Sequence, residues 1–253
     1  MAWLRAELRG QGPGSNILEQ PWFAIGKSLR IETPPRLPMT GHPMDDLDRF
    51  VKRAAHKIVQ QAQRRLPEKS KPLLIAIDGG SGSGKSTVAS AVAEKLGAAL
   101  VPGDDFFAAH ITDEAWAQRD VKARAADSID WQRLRREALE PLLAGKPARW
   151  HPFDFESGVR PDGTYGMLAE FVECAPASVI VLDGAYSARP ELSDLIDLSV
   201  LVDVPVALRH ERLSTREERT WLNAWHARWD GAEEYYFTHV RPASSFDLVI
   251  ATD

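Results

Sequence analysis

The sequence predicts an α/β fold, a mostly parallel, doubly wound sheet flanked by helices, and three observations lead there. An apolar run, Leu73-Leu74-Ile75-Ala76-Ile77-Asp78, enters a glycine-rich loop and then a helical pattern over 86–96 that Gly97 closes. Four further short apolar runs, at 98–101, 178–182, 198–202 and 248–250, lack polar alternation, as strands covered on both faces do. The stretches between them leave room for the helical crossovers that bring each strand back parallel to the last.

A chain of 253 residues, 44% of them hydrophobic, can bury one core of this kind, and one domain is expected over residues 44–253. Residues 1–43 carry Gly12-Pro13-Gly14, Pro34-Pro35 and Pro38, which break every period, so a flexible extension is expected there. Met39 and Met44 leave two readings of it open, a functional arm or an over-extended start. Residues 45–66 should form the first helix: Leu47, Phe50, Val51, Ala54, Ile58 and Ala62 recur at helical spacing behind Asp45 and Asp46, and Pro67 ends it.

With 31 basic against 36 acidic residues the net charge is -5, which supplies no global field for a nucleic-acid backbone. No run approaches the about 18 apolar residues that cross a bilayer. One cysteine, Cys174, excludes an intramolecular disulfide. These features lead us to expect a cytoplasmic protein whose partner is a small molecule, with neither nucleic acid nor membrane.

The glycine loop carries the chemistry. Gly79-Gly80-Ser81-Gly82-Ser83-Gly84-Lys85-Ser86 fits G-x-x-x-x-G-K-[ST] between a strand and a helix, the context in which that pattern cradles phosphates. Glycines let backbone N–H groups turn inward, and the following helix adds its positive end. Lys85 should reach the β- and γ-phosphates and the Ser86 hydroxyl should ligate magnesium, with Thr87 at the helix start. The expected ligands are ATP and Mg2+, and the fold becomes that of a P-loop NTPase.

Two acid-bearing strand ends should complete the site. Asp104 and Asp105 follow the second strand at the edge where open α/β sheets bind ligands. Asp104 is the candidate for orienting and deprotonating an attacking hydroxyl and for approaching the metal. Asp105 stands between that role and a cap. Asp183, ending the run 178–182, is the candidate Walker B acid and should lie close to Ser86.

Downstream, Arg209, Arg212, Arg216 and Arg219 recur by threes and fours in a helical stretch, a lid expected over about 205–230. Two readings stand, guanidinium groups closing over a triphosphate or a solvated face paired with Glu211, Glu217 and Glu218. Trp221, Trp225 and Trp229 recur every fourth residue, a pattern read as a packed core face rather than a stacking platform.

These residues resemble the uridine kinase-like branch of P-loop kinases, whose relatives include phosphoribulokinase and bacterial pantothenate kinase. The resemblance spans about 73–250. It rests on 79–86, on Asp104-Asp105-Phe106-Phe107 in place of Asp-Ser-Phe-Tyr, on Asp127-Ser128-Ile129-Asp130-Trp131 and on Pro152-Phe153-Asp154-Phe155. It implies that Asp104 is the catalytic base, that Ser86, Asp104 and Asp183 surround magnesium, and that Arg209, Arg212 and Arg216 are lid arginines. Lys85, Arg212 and Arg216 would act on the transferred phosphoryl group.

The departures concern the acceptor. The histidine that follows Tyr-Asp-Phe in uridine kinases is absent after Phe153-Asp154-Phe155, Arg124 stands where they carry an acid, and Asp183 replaces their usual Glu. Pyrimidine-nucleoside specificity is therefore not carried over. Phe153, Asp154, Arg124 and Arg160 are the acceptor-side candidates, and Arg124 and Arg160, with Arg149 and His151, raise the expectation of a carboxylate or phosphate on the acceptor. The function expected is ATP-dependent phosphorylation of a small-molecule hydroxyl. A genuine uridine or cytidine kinase is the first alternative. A nucleotide switch or motor ATPase is another, against which the lack of an Asn-Lys-x-Asp segment and the presence of Asp104 speak.

Overall fold

A computed structural model describes residues 43–214 and 219–252. Residues 1–42, the expected extension apart from Pro43, and Arg216 in the expected lid lie outside them.

Helix α1 (Pro43–Arg65) opens the described chain, with a 3-10 turn, Leu66–Glu68, behind it. It starts two residues earlier than the spacing predicts, because a proline is tolerated in the first turn, where its missing N–H has no helical partner. The glycine loop then joins β1 (Leu73–Asp78) to α2 (Lys85–Leu96), which Gly97 closes in the left-handed conformation (φ 58). Strands β2 (Ala99–Pro102), β5 (Val179–Asp183), β6 (Leu198–Asp203) and β7 (Leu248–Ala251) complete a five-stranded sheet of order β2-β5-β1-β6-β7 in which every pairing is parallel. Each apolar run singled out in the sequence is one of these strands.

The excursion between β2 and β5 was not legible at this detail. It holds α3 (Asp113–Gln118), α4 (Val121–Asp127) and α5 (Trp131–Leu134), which runs through a π turn (Arg135–Leu139) into α6 (Glu140–Leu143). An antiparallel pair, β3 (Ala148–Trp150) with β4 (Val172–Cys174), closes it. Strands of three residues carry too little pattern to be read from a sequence. After β6 come α7 (Val206–Ser214) and α8 (Arg219–Tyr235), the latter ending in a π turn (Tyr236–Val240).

Alternation along β1 sends side chains to both faces of the sheet. Leu73, Ile75 and Ile77 join Val181, Val200 and the α1 residues Ala54, Ala55, Ile58 and Ala62 on one face. Leu74 faces the other with Val101, Leu182 and an aromatic core that includes Phe107, Trp116 and Trp229. Trp229 meets Phe107 and Trp116 edge to face at 5.8 and 5.2 Å, the packed face expected of it. The side chains of Trp221 and Trp225 lie outside the described ones. Among the described residues no helix is long and apolar enough to cross a membrane.

Register positions the site. β5 lies between β1 and β2, with Ile77 and Pro102 both paired to Asp183. The glycine loop, Asp104 and Asp183 therefore leave the sheet side by side. Beneath them Asp78, fully buried, accepts hydrogen bonds from the Gly79, Tyr186 and Ala188 N–H groups and the Tyr236 hydroxyl, at 2.8, 2.9, 2.9 and 2.9 Å. Burial pushes its pKa up and these donors pull it back.

Ile58→Ala should cost about 2–5 kcal/mol of unfolding free energy, the usual range for emptying a buried aliphatic site. Urea titration followed by circular dichroism measures it, and an unchanged midpoint would mean that α1 is not part of the core.

Candidate active site

The loop from Gly79 to Ser86 is built to hold an anion. Gly82 and Gly84 take left-handed φ values of 79 and 86, where a Cβ would be strained. Gly84 caps α2 without a side-chain acceptor, so first-turn N–H groups of a 12-residue helix other than that of Lys85 stay available. Lys85, only 8% exposed, lies at that helix start. Ser81, Gly82, Gly84, Lys85, Ser86 and Thr87 line a cavity of about 250 Å3. Gly79, Gly80 and Ser83 shape the loop behind it: a Cβ on Gly80 would sit 2.8 Å from the Glu233 carboxylate, and Ser83 Oγ accepts from Lys85 N at 3.4 Å.

Asp104 enters the same cavity from the 3-10 turn Gly103–Phe106. That turn can approach β5 only because residue 103 is glycine; a Cβ there would lie 2.9 Å from the Asp183 carbonyl. Asp183 shares a hydrogen bond with Ser86. Burial pushes its pKa up to about 6, with Lys85 and Ser86 pulling it down and Asp104 pushing it further up. Its Oδ1 is buried without a hydrogen-bond partner among the described residues. A carboxylate oxygen left orphaned beside a hydroxyl and a lysine fits a divalent cation, whose charge would satisfy it. Ser86 and Asp183, with Asp104 nearby, are the residues that could hold magnesium.

Asp105 is turned away. It accepts the Trp150 indole N–H at 2.8 Å, and burial raises its pKa. It neither lines the cavity nor caps the turn it sits in, whose N-cap is Pro102.

The cavity is also lined by Phe107, Ile129, Phe155, Tyr186, Leu213 and Trp229. Tyr186 has φ 66, a left-handed value that is strained for an aromatic residue and is held by the Asp78 hydrogen bond to its N–H.

A family model described as the phosphoribulokinase / uridine kinase family matches residues 74–220. The chain belongs to this family. A uridine kinase of Halobacterium salinarum is 29% identical over 172 residues, which cover 66% of this chain and 71% of that one. A uridine kinase of Mycoplasma pneumoniae is 29% identical over 159 residues, 61% and 70% of the two chains. Among solved structures, one described as a possible uridine kinase from Bacillus stearothermophilus has a TM-score of 0.59 at 18% identity, covering 79% of this chain and 98% of that chain. That likeness concerns the fold, a P-loop NTPase sheet flanked by helices.

The acceptor-side candidates are not among the residues that line this cavity. Phe153 is a core residue, 1% exposed and packed 5.0 Å from Phe107, and its neighbour Phe155 is the one that reaches the cavity. The Asp154 carboxylate accepts from the Glu156 and Ser157 N–H groups and holds a turn. Arg124 donates to the carbonyls of Trp116, Ala117 and Arg228, so its guanidinium joins α3 and α4 to α8 and does not line the cavity. Arg160 lines a separate depression with His110 and Arg133. Arg149 stacks over Phe171, and His151 Nδ1 bonds the Leu168 carbonyl. Arg124 and Arg149 are thus taken up by local partners, which spacing in sequence does not reveal, while Arg160 stands with Arg133 and His110 at the second depression.

Arg209 and Arg212 of the expected lid come to the loop. Arg209 donates to the Ser81 carbonyl at 3.0 Å and to Glu233 at 2.8 Å, and Arg212 to the Ser83 carbonyl at 3.1 Å. Glu233, 3% exposed, also accepts from Ser81 N at 2.9 Å and Ser81 Oγ at 2.6 Å. It fastens α8 to the loop, and nothing in its local sequence announced that.

Asp183→Asn separates function from stability. The raised folded-state pKa means that the charged carboxylate destabilises the fold above about pH 6, and that this cost is relieved as pH falls from about 6 toward 4. Without nucleotide or metal, the variant should be more stable than the parent by about 2–3 kcal/mol at pH 7.5, with the difference vanishing near pH 4. Its stabilisation by Mg-ATP should be lost. Thermal melts with and without Mg-ATP check both statements, and a variant less stable at pH 7.5 would contradict the account.

Proposed function

We propose that this chain is an ATP-dependent, magnesium-requiring kinase that phosphorylates a hydroxyl of a small, uncharged acceptor with a planar or apolar face. The observation that carries the proposal is one cavity lined by the phosphate loop with Lys85 and Ser86, by Asp104 and by aromatic rings, with Asp183 buried beside Lys85 and Ser86. Family membership supports phosphoryl transfer. The aromatic wall supports an acceptor held by stacking and burial, and Lys85 is the lysine lining that cavity.

In this reading the loop N–H groups and Lys85 hold the triphosphate, and Ser86 and Asp183 hold magnesium. When bound there, the ion would supply positive charge to offset that on the phosphate oxygens. Asp104 accepts the proton of the acceptor hydroxyl as its oxygen bonds the γ-phosphorus; the bond from that phosphorus to the β-γ bridging oxygen breaks, and ADP leaves with the electron pair. Arg209 and Arg212 are near enough to the loop to add positive charge there. Nucleosides satisfy the acceptor description and stand as the first members of it to test, as the uridine kinase relatives suggest. A nucleotide switch needs no such acceptor end.

The test is magnesium-dependent ADP release across nucleosides, other neutral aromatic alcohols, sugar phosphates and pantothenate. Neutral planar acceptors should stimulate turnover. Asp104→Asn should reduce the stimulated rate by about 10²–10⁴-fold, the usual contribution of a general base, while ATP binding persists. Stimulation by anionic acceptors alone, or turnover indifferent to both acceptor and Asp104, would overturn the reading.

A further inference from the structure

Where α7 meets α8, three side chains with metal-ligating atoms converge outside the cavity. His210 comes from α7, and His226 and Asp230, four residues apart and so on one face, come from α8. His226 Nδ1 lies 2.9 Å from Asp230 Oδ1 and His210 Nε2 lies 3.1 Å from Asp230 Oδ2. The imidazole centroids are 3.9 Å apart, and one ligand atom from each residue falls within 4.8 Å of the others.

The proton inventory of this cluster is unusual. Asp230 receives a ring nitrogen on each of its oxygens. His210 Nε2, although close to the carboxylate and buried at that atom, makes no aligned hydrogen bond among the described residues. A buried ring nitrogen that faces a carboxylate without bonding it is the arrangement a cation between them would complete. The side chains are 36%, 21% and 33% exposed for His210, His226 and Asp230, so an ion has a path in.

We propose that His210, His226 and Asp230 bind one transition-metal ion of the zinc class. Two imidazoles and a carboxylate are the donor set of three-ligand zinc sites, with a fourth position left for water, and nitrogen donors select zinc, cobalt, nickel or copper over magnesium and calcium. The ion would tie α7 to α8. His210 adjoins Arg209 in sequence, and Glu233 lies seven residues beyond His226 on α8, so the same helix seam presents both groups that grip Ser81. None of the three ligands lines the catalytic cavity, and the ion's role is therefore to join the lid helices, apart from phosphoryl transfer.

The test uses tag-free, full-length protein stripped with chelator and titrated with Zn2+ by calorimetry and with Co2+ by visible absorption, without nucleotide. One equivalent should bind, with cobalt bands of nitrogen and oxygen ligation and no thiolate charge-transfer band. His210→Ala and Asp230→Asn, checked for folding by circular dichroism, should weaken binding by more than about 100-fold, beyond what loss of an outer-shell partner does. Asp183→Asn should leave it intact. The proposal is overturned if the parent protein shows no saturable binding, if the His210 and Asp230 variants bind as the parent does, or if only Asp183→Asn removes the site.

Discussion

Everything in the candidate site depends on the double pairing of β5. Because Asp183 is in register with Ile77 on one side and Pro102 on the other, three loops leave the sheet at one level. A slip of one residue in either pairing would turn the side chains of β5 to the opposite face. Gly103, which admits the Asp183 carbonyl, and Asp78, which gathers N–H groups from both sides of the sheet edge, lock that level in place. The phosphate loop is thus one part of a junction. Its position relative to the acids is set by strand pairing and by a buried carboxylate, Asp78, that is not among the residues lining the cavity.

Electrostatics then divides the cavity. Asp183 is buried next to Lys85 and Ser86 with one oxygen unmatched, an arrangement that costs stability until a cation arrives. The same cavity carries aromatic side chains, among them Phe107, Phe155, Tyr186 and Trp229, which need no counter-charge, while Arg124 is bound to carbonyls and Arg149 is stacked on an aromatic ring. That combination underlies the proposal of an uncharged acceptor.

The parts legible in the sequence were those whose pattern is local. Five strands showed as apolar runs, the loop as a motif with a strand before and a helix after, and Asp104 and Asp183 as acids at strand ends; β7, at the sheet edge with Val249 exposed, is not covered on both faces as its run suggested. What escaped depends on contacts between distant segments. Glu233 lies 152 residues from Ser81, and Asp78 was read only as the end of a strand. Phe155 and Phe153 are alike in composition, and only the turn held by Asp154 decides which of them reaches the cavity. Arg124 was weighed as an anion ligand because a charge in a sequence carries no record of the carbonyls around it.

The account stands most directly on where the γ-phosphoryl group goes. Phosphorus NMR of a reaction with ATP, Mg2+ and a neutral nucleoside or aromatic alcohol distinguishes a phosphomonoester from inorganic phosphate in one spectrum. The account predicts a new ester resonance that grows in step with ADP. Inorganic phosphate appearing alone, at the same rate whether or not acceptor is present, would contradict it.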